Sequence, residues 1–270
     1  MNLPSNRPAL MGILNVTPDS FSDGGEHNTT QSAIDWGLKM IEDGADLIDV
    51  GGESTRPGAD EVTIEEELRR VIPVVETLSH KGIAVSIDTM KPEVAREALD
   101  AGAFLVNDVG GLRDDRMMQL CIQRRCVVCI MHMQGVPRTM QSEPVYSDVV
   151  NEVSAFLKQK AELLLNSGIP LEGIWIDPGF GFGKTVEHNL ELIRRLDEIA
   201  ALGFPVLVGV SRKSFIGKVL GSEENPLPVE ERREGTLAVQ AVAQLKGARI
   251  IRAHDVKESR RVIDVISRVR

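Results

Sequence analysis

The chain has 270 residues, 42% of them hydrophobic, enough for one large core and a length that suits an eightfold β/α barrel of ~250 residues. Its 31 basic and 40 acidic residues leave a net charge of −9, which argues against a broad nucleic-acid footprint while allowing a local basic pocket for an anion. Met1 to Pro8 carries neither an apolar signal core nor a run of positive charge, and no stretch approaches the ~20 apolar residues of a membrane span, so a cytosolic protein without membrane partners is expected.

Short β-branched and apolar runs recur at residues 9–14, 47–50, 84–87, 104–106, 127–131, 173–176, 206–210 and 249–251, and each reads as a strand. Between them, apolar residues at three-and-four spacing predict helices over 31–42, 64–80, 92–100, 147–166, 187–201 and 235–246. Strands that alternate with helices run parallel and are covered by them. Cys121, Cys126 and Cys129 cluster around the junction that leads into the fifth run. An odd count, no repeated CxxC pair and no histidine at finger spacing predict buried free thiols in a reducing compartment rather than zinc ligands.

An internal echo favours a barrel over a doubly wound sheet. Asp43-Gly44-Ala45-Asp46-Leu47-Ile48-Asp49, Ala101-Gly102-Ala103-Phe104-Leu105-Val106-Asn107 and Lys246-Gly247-Ala248-Arg249-Ile250-Ile251-Arg252 repeat one joint. Glycine ends a helix in the left-handed conformation, alanine packs closely, and an apolar strand follows that ends on a polar residue. The glycines are 58 and then 145 residues apart, which fits two and five β/α units of ~29 residues. The prediction is an α/β fold, a single (β/α)8 TIM barrel forming one domain over residues 1–270. Polar loops at 17–28, 51–61, 134–146 and 221–233, all but the last directly following a strand, then fall on the C-terminal rim where barrel enzymes place their chemistry.

The residues that close the strands form a polar ring: Asn15; Glu53 with Thr55 and Arg56; Asp88; Asn107 with Asp108; His132; Asp177; Ser211, Arg212 and Lys213; and Arg252 with His254 and Asp255. Asp49 and Asp108 read as caps or braces of neighbouring turns. Asp88, Asn107 and Asp177 supply the acceptors and the amide that the ring N–H and exocyclic amine of a guanine-like or pterin-like heterocycle require. Asp88 has a second reading as the cap of a helix begun at Thr89-Met90-Lys91-Pro92. Arg56, Arg212, Lys213, Arg252 and His254 form a cationic half suited to phosphate oxygens, and Asn15 adds an oxygen for Mg²⁺ held mainly through substrate phosphates. Lys213 competes with the readings of Schiff-base nucleophile and surface lysine. His132 stays open between a satisfied rim histidine and a catalytic one.

The segment Trp175-Ile176-Asp177-Pro178-Gly179-Phe180-Gly181-Phe182-Gly183-Lys184 ends a strand on a carboxylate and opens into a glycine-rich turn. Its glycines permit positive φ and close approach to a flat ligand, and its phenylalanines supply apolar faces, although a tight strand-to-helix connection with incidental aromatics is the plain alternative. Gly183-Lys184-Thr185 imitates the end of a nucleotide phosphate loop, but Pro178 stands where that pattern needs its first glycine and offers no N–H.

With these residues assembled, the chain resembles the dihydropteroate synthase family of the folate pathway from about Leu10 to Glu258. The resemblance is carried by the segment from Gly12 to Gly25, by Gly52-Glu53-Ser54-Thr55-Arg56-Pro57-Gly58-Ala59, by Ser86-Ile87-Asp88-Thr89 and by Val106-Asn107-Asp108. It continues through Met131-His132-Met133-Gln134-Gly135, the segment from Asp177 to Lys184, Ser211-Arg212-Lys213-Ser214 and Arg252-Ala253-His254-Asp255-Val256. It implies condensation of 6-hydroxymethyl-7,8-dihydropterin pyrophosphate with para-aminobenzoate, giving 7,8-dihydropteroate and pyrophosphate. By motif, Asp88, Asn107, Asp177 and Lys213 would hold the pterin, with Met131 beside its ring, while Asn15, Arg252 and His254 would hold pyrophosphate and Mg²⁺. Thr55 and Arg56 would belong to a mobile loop, Pro57, Phe182 and Ser211 would line the para-aminobenzoate site, and Phe21 would close over it. The catalytic set so implied is Asp88, Asp177, Lys213, Arg252 and His254. Sulfonamide inhibition and a homodimer are further implications. A corrinoid-linked methyltetrahydrofolate methyltransferase shares such a barrel but has no use for a pyrophosphate clamp, and a pterin-binding paralogue that makes no dihydropteroate is the alternative outside catalysis.

Overall fold

The computed structural model describes residues 3–17, 25–54, 61–135, 140 and 144–269, with the backbone alone for 25–29. Eight strands, β1 (Ala9–Asn15), β2 (Leu47–Gly51), β3 (Val85–Asp88), β4 (Leu105–Asp108), β5 (Val127–Met131), β6 (Ile174–Asp177), β7 (Leu207–Val208) and β8 (Ile250–Ala253), pair in the order β6-β5-β4-β3-β2-β1-β8-β7. The pairs are parallel, and a parallel bridge between Ile176 and Val206 brings β6 onto β7 and closes the circle. The fold is a (β/α)8 barrel, as the alternation predicts.

The helices are α1 (Gly25–Glu42), α2 (Ile64–His80), α3 (Pro92–Asp100), α4 (Asp115–Arg124), α5 (Val149–Asn166), α6 (Val186–Arg194), α7 (Leu196–Ala200), α8 (Ser214–Leu220), α9 (Arg233–Leu245) and α10 (Val256–Val269). The helix predicted over 187–201 is two. Arg195, at φ −114° and ψ 25°, leaves the helical region, and its guanidinium is held by Asp148 and Glu198. The break lets Leu196 and Ile199 both turn into the core. Among the described residues no helix is long and apolar enough to cross a membrane.

The pleat of the strands decides which residues reach the site. Alternate positions point to opposite faces. One set, Ala9, Met11, Leu47, Leu105, Cys129, Trp175, Leu207 and Ile250, fills the lower lumen as an apolar plug. The other set, including Leu10, Ile48, Val50, Val106, Val128, Ile176, Val208 and Ile251, packs outward among the helices. Continuing the inward set toward the strand ends leads to Asp49, Asn107, Asp177 and Arg252, each two residues beyond a member of the plug.

The repeated joint is built as the echo predicts. Gly44, Gly102 and Gly247 adopt φ of 106°, 105° and 101°, and Ala45, Ala103 and Ala248 donate back to Met40, Ala98 and Ala243 at 2.9, 2.9 and 3.0 Å. This is the Schellman closure, in which a glycine escapes the steric cost of positive φ and frees the chain to enter a strand. Cys121, Cys126 and Cys129 are free thiols, with Cys121 and Cys129 buried.

Candidate active site

The C-terminal mouth of the lumen is organised around Asp49. This carboxylate is fully buried, accepts Nε of Arg252 at 2.6 Å and accepts the Asn107 amide at 3.0 Å. Arg252 also donates from Nη2 to Asp88 at 2.6 Å, so one guanidinium joins two carboxylates across β8, β2 and β3. Burial works against the Arg252 charge, but Asp49 and Asp88 outweigh it and hold the group above its ordinary range. Burial pushes the Asp88 carboxyl up to about 7 against the opposing pull of Arg252. One oxygen on each of Asp49 and Asp88 is buried and accepts no hydrogen bond among the described residues. An unsatisfied buried acceptor is costly, and at a lumen mouth it marks a place for a donor from a ligand.

Asp49 is thus no turn brace, and the reading of it as one is corrected by its inward position. Asp108, on the outward set, does brace a turn: it accepts the N–H groups of Gly110 and Leu112 at 2.7 and 2.8 Å. The signal that separates them lies in the repeat itself. Five residues after each glycine of the echo stand Asp49, Asn107 and Arg252, and the last two both donate to the first. The capping role for Asp88 also fails, because Lys91 occupies the start of α3 and the Lys91 N–H goes to Thr89.

The division of the ring into an acceptor half and a cationic half needs revision. Arg252 lies inside the carboxylate half, since its side chain is long enough to span the lumen. Arg212 leaves the anion half, because its guanidinium grips Asp255 at 2.6 and 3.0 Å. Lys213, immediately after it, places Nζ 3.9 Å from the centre of the Phe182 ring, a cation–π contact. Phe182 itself packs with Met131, Met133, Met140 and Val109 into a thioether-rich apolar patch at the mouth.

Asp177 is nearly buried, and burial pushes its carboxyl up to about 6; the Gly179 N–H, Lys213, Arg252 and Lys184 all pull the other way. Gly179 donates to it at 2.7 Å. The glycines of the following turn all have positive φ, 71° at Gly179, 79° at Gly181 and 59° at Gly183. What two of them approach is protein rather than an open ligand face. A Cβ on Gly179 would lie 1.8 Å from the His132 carbonyl oxygen, and one on Gly183 would lie 2.5 Å from that of Gln134. The turn is seated on the loop that follows β5.

Ser211 and His254 meet across β7 and β8: Ser211 Oγ accepts the His254 N–H at 3.1 Å and lies 2.9 Å from Nδ1. The sequence gives no hydroxyl–imidazole pair by spacing, and closure of the barrel creates this one. Because one hydroxyl contacts both the backbone and the ring, the pair orients the imidazole. His132 is a satisfied rim histidine. Its ring lies edge-on to Phe156 at 5.2 Å, and burial followed by the neighbouring Lys184 pushes it down to about 3, so it is neutral. Asn15 ends β1 beside Gly51 and Asp88. Phe21, Thr55, Arg56 and Pro57 lie outside the described residues.

Polar side chains gathered from the ends of β2, β3, β4, β6 and β8 at one barrel mouth, next to an apolar slot, define a barrel enzyme acting on a small flat molecule. The chain belongs to the pterin binding enzyme family, whose model matches residues 11–254. It is 47% identical over 266 residues to the dihydropteroate synthase of Escherichia coli K12, covering 98% of this chain and 93% of that protein. The dihydropteroate synthase of Yersinia pestis, solved with a sulfonamide drug, superposes with a TM-score of 0.92 at 43% identity, covering 100% of this chain and 96% of that one. That of Xanthomonas albilineans, solved with 7,8-dihydropteroate, gives a TM-score of 0.88 at 43% identity over 99% and 95% of the two chains. Within the pterin binding enzymes the chain is a member of the dihydropteroate synthases, which are transferases.

Proposed function

We propose that the chain joins 6-hydroxymethyl-7,8-dihydropterin pyrophosphate to para-aminobenzoate, releasing pyrophosphate and 7,8-dihydropteroate. The observation that carries this is the mouth itself: unsatisfied oxygens on Asp88 and Asp49, the Asn107 amide bonded to Asp49, and the raised carboxyl of Asp177 facing Lys213. This is the donor-and-acceptor set that a pterin edge needs. The apolar patch of Met131 and Phe182 suits the pterin face and the benzoate ring.

The methylene C–O bond breaks with its electron pair going to pyrophosphate, while the dihydropterin ring donates electrons and spreads the resulting positive charge. Asp177 stabilises that charge as an anion. The aniline nitrogen then forms the C–N bond and releases one proton. An aromatic amine is nucleophilic already, so placement and exclusion of water supply the rate. Arg252 and His254 hold the departing pyrophosphate, and the Asn15 amide oxygen is the kind of single protein ligand a substrate-bound Mg²⁺ accepts. When bound, Mg²⁺ neutralises phosphate charge. Pro57, Phe182 and Ser211 take the aminobenzoate, for which sulfonamides compete, and the same reading counts Thr55, Arg56 and Phe21 toward that site, from positions outside the described residues. The same reading includes a cytoplasmic homodimer, and sedimentation of the purified protein as a monomer would remove the dimer.

The test is direct. Purified protein, the pterin pyrophosphate, para-aminobenzoate and Mg²⁺ should yield dihydropteroate and pyrophosphate in equal amounts, with a sulfonamide raising the KM of para-aminobenzoate alone. Lys213→Ala or Asp177→Ala should cost roughly a hundredfold or more in kcat/KM. No product above background, or variants as fast as the parent, would sink the assignment.

A further inference from the structure

Lys184 belongs to no role above, although it is 3% exposed and buries its Nζ against the Gly179–Phe182 turn. Its Nζ donates to the carbonyl oxygens of Gly179 and Phe182, each at 3.0 Å, and lies 3.1 Å from His132 Nδ1 and 3.4 Å from the His132 carbonyl oxygen. A protonated lysine has no acceptor, so Nδ1 accepts and the neutral imidazole carries its proton on Nε2. One side chain therefore ties both ends of the Gly179–Phe182 turn to the end of β5.

The surrounding bonds finish the turn. Phe182 donates to Gly179 O at 3.1 Å, Gly181 donates to Asn189 at 2.7 Å, and Tyr146 donates to Gly183 O at 2.8 Å. Lys184 is the charged member, and burial pushes its ammonium down to about 7, with Asp177 opposing the shift.

We propose that Lys184 is a positioning residue of the synthase reaction, fixing the Phe182 ring beneath Lys213 and the Asp177 carboxylate at the mouth by holding the turn between them. This rests on the function proposed above. Two consequences distinguish it from a lysine that merely stabilises the barrel. Phe182 faces the second substrate, so loosening the turn should raise the KM of para-aminobenzoate more than that of the pterin pyrophosphate. Asp177 is faced by Lys184 from its own loop, by Lys213 beyond β7, by Arg252 of β8 and by the Cys129 thiol of β5. Removing the Lys184 charge should therefore move the acid limb of kcat to higher pH.

Lys184→Met removes donors and charge, whereas Lys184→Gln keeps an amide donor without the charge, and the measurements are made on whichever folds by circular dichroism. The expected result is an increase in the KM of para-aminobenzoate on the order of tenfold for Met and less for Gln, the loss of a net hydrogen bond or two to a buried carbonyl. The acid limb should rise in both. Per folded molecule, unchanged KM values with an unmoved acid limb would overturn the positioning role while leaving the synthase assignment intact. A parent enzyme that makes no dihydropteroate would overturn the functional reading and the role of Lys184 with it.

Discussion

The lower lumen and the mouth are built by the same strands on the same alternating positions, yet one is an apolar plug and the other a charge network. Met11, Leu47, Leu105, Trp175 and Ile250 fill the first; one step of the pleat further along, Asp49, Asn107, Asp177 and Arg252 make the second. Burying apolar area stabilises the barrel, whereas taking carboxylates and a guanidinium out of water costs free energy that their mutual attraction only partly returns. The plug supplies stability, and the mouth consumes part of it to hold charges ready for a ligand.

Breaking the plug gives the largest effect. Trp175 is buried, donates to the Glu172 carbonyl at 3.1 Å and meets Phe104 edge-on at 6.5 Å. Trp175→Ala should cost about 3–5 kcal/mol in urea unfolding, with the KM values of the surviving folded enzyme unchanged. A large KM change would mean that plug and mouth are not separable.

The opposite experiment relieves the mouth. The folded Asp177 carboxyl is raised to about 6 from an ordinary 3.8, so the protonated form is favoured in the folded state. Its contribution is fully present below the unfolded pKa and is lost as pH rises through about 6. Asp177→Asn stays neutral, so its stability relative to the parent should climb by roughly 3 kcal/mol between about pH 4 and pH 7 while turnover collapses. A stability difference that does not vary with pH would show that burial of this carboxylate carries no such cost.

The smallest effect sharpens the comparison. Asp49→Asn keeps an acceptor for Arg252 but removes the charge, freeing the guanidinium to settle on Asp88. We expect a drop of about tenfold in kcat/KM, consistent with the loss of one charge-assisted hydrogen bond, whereas Asp108→Asn, on the outward face, should leave kcat/KM within about twofold. Equal effects at the two aspartates would remove the distinction between inward and outward positions.

Much of this was legible in the chain. Apolar runs and helical periodicity gave eight strands and their alternation with helices, and the echo at Gly44, Gly102 and Gly247 gave the barrel. These are local properties, set by side-chain spacing and by the one residue that tolerates positive φ. The polar ends of the strands were equally visible, and the pterin-binding motifs among them identified the family. The break at Arg195 was not visible, because nothing in 187–201 interrupts the helical pattern and the Arg195 guanidinium is held by Asp148, the residue that caps α5 far away in sequence.

Partnership among the polar residues was decided by tertiary structure alone. Asp49 and Asp108 stand five and six residues after their echo glycines, a spacing that acquires meaning only when the closed sheet turns one inward and the other outward. Arg212 and Arg252 look alike, but one is captured by Asp255 and the other spans the lumen to Asp49 and Asp88. For Lys184 the sequence excluded a phosphate-loop role, through Pro178, without supplying another; the folded turn puts three carbonyl oxygens and an imidazole around its Nζ. Sequence sets which groups are present and at what spacing along each strand; only closure of the barrel sets the few ångströms between strands over which charges and hydrogen bonds act.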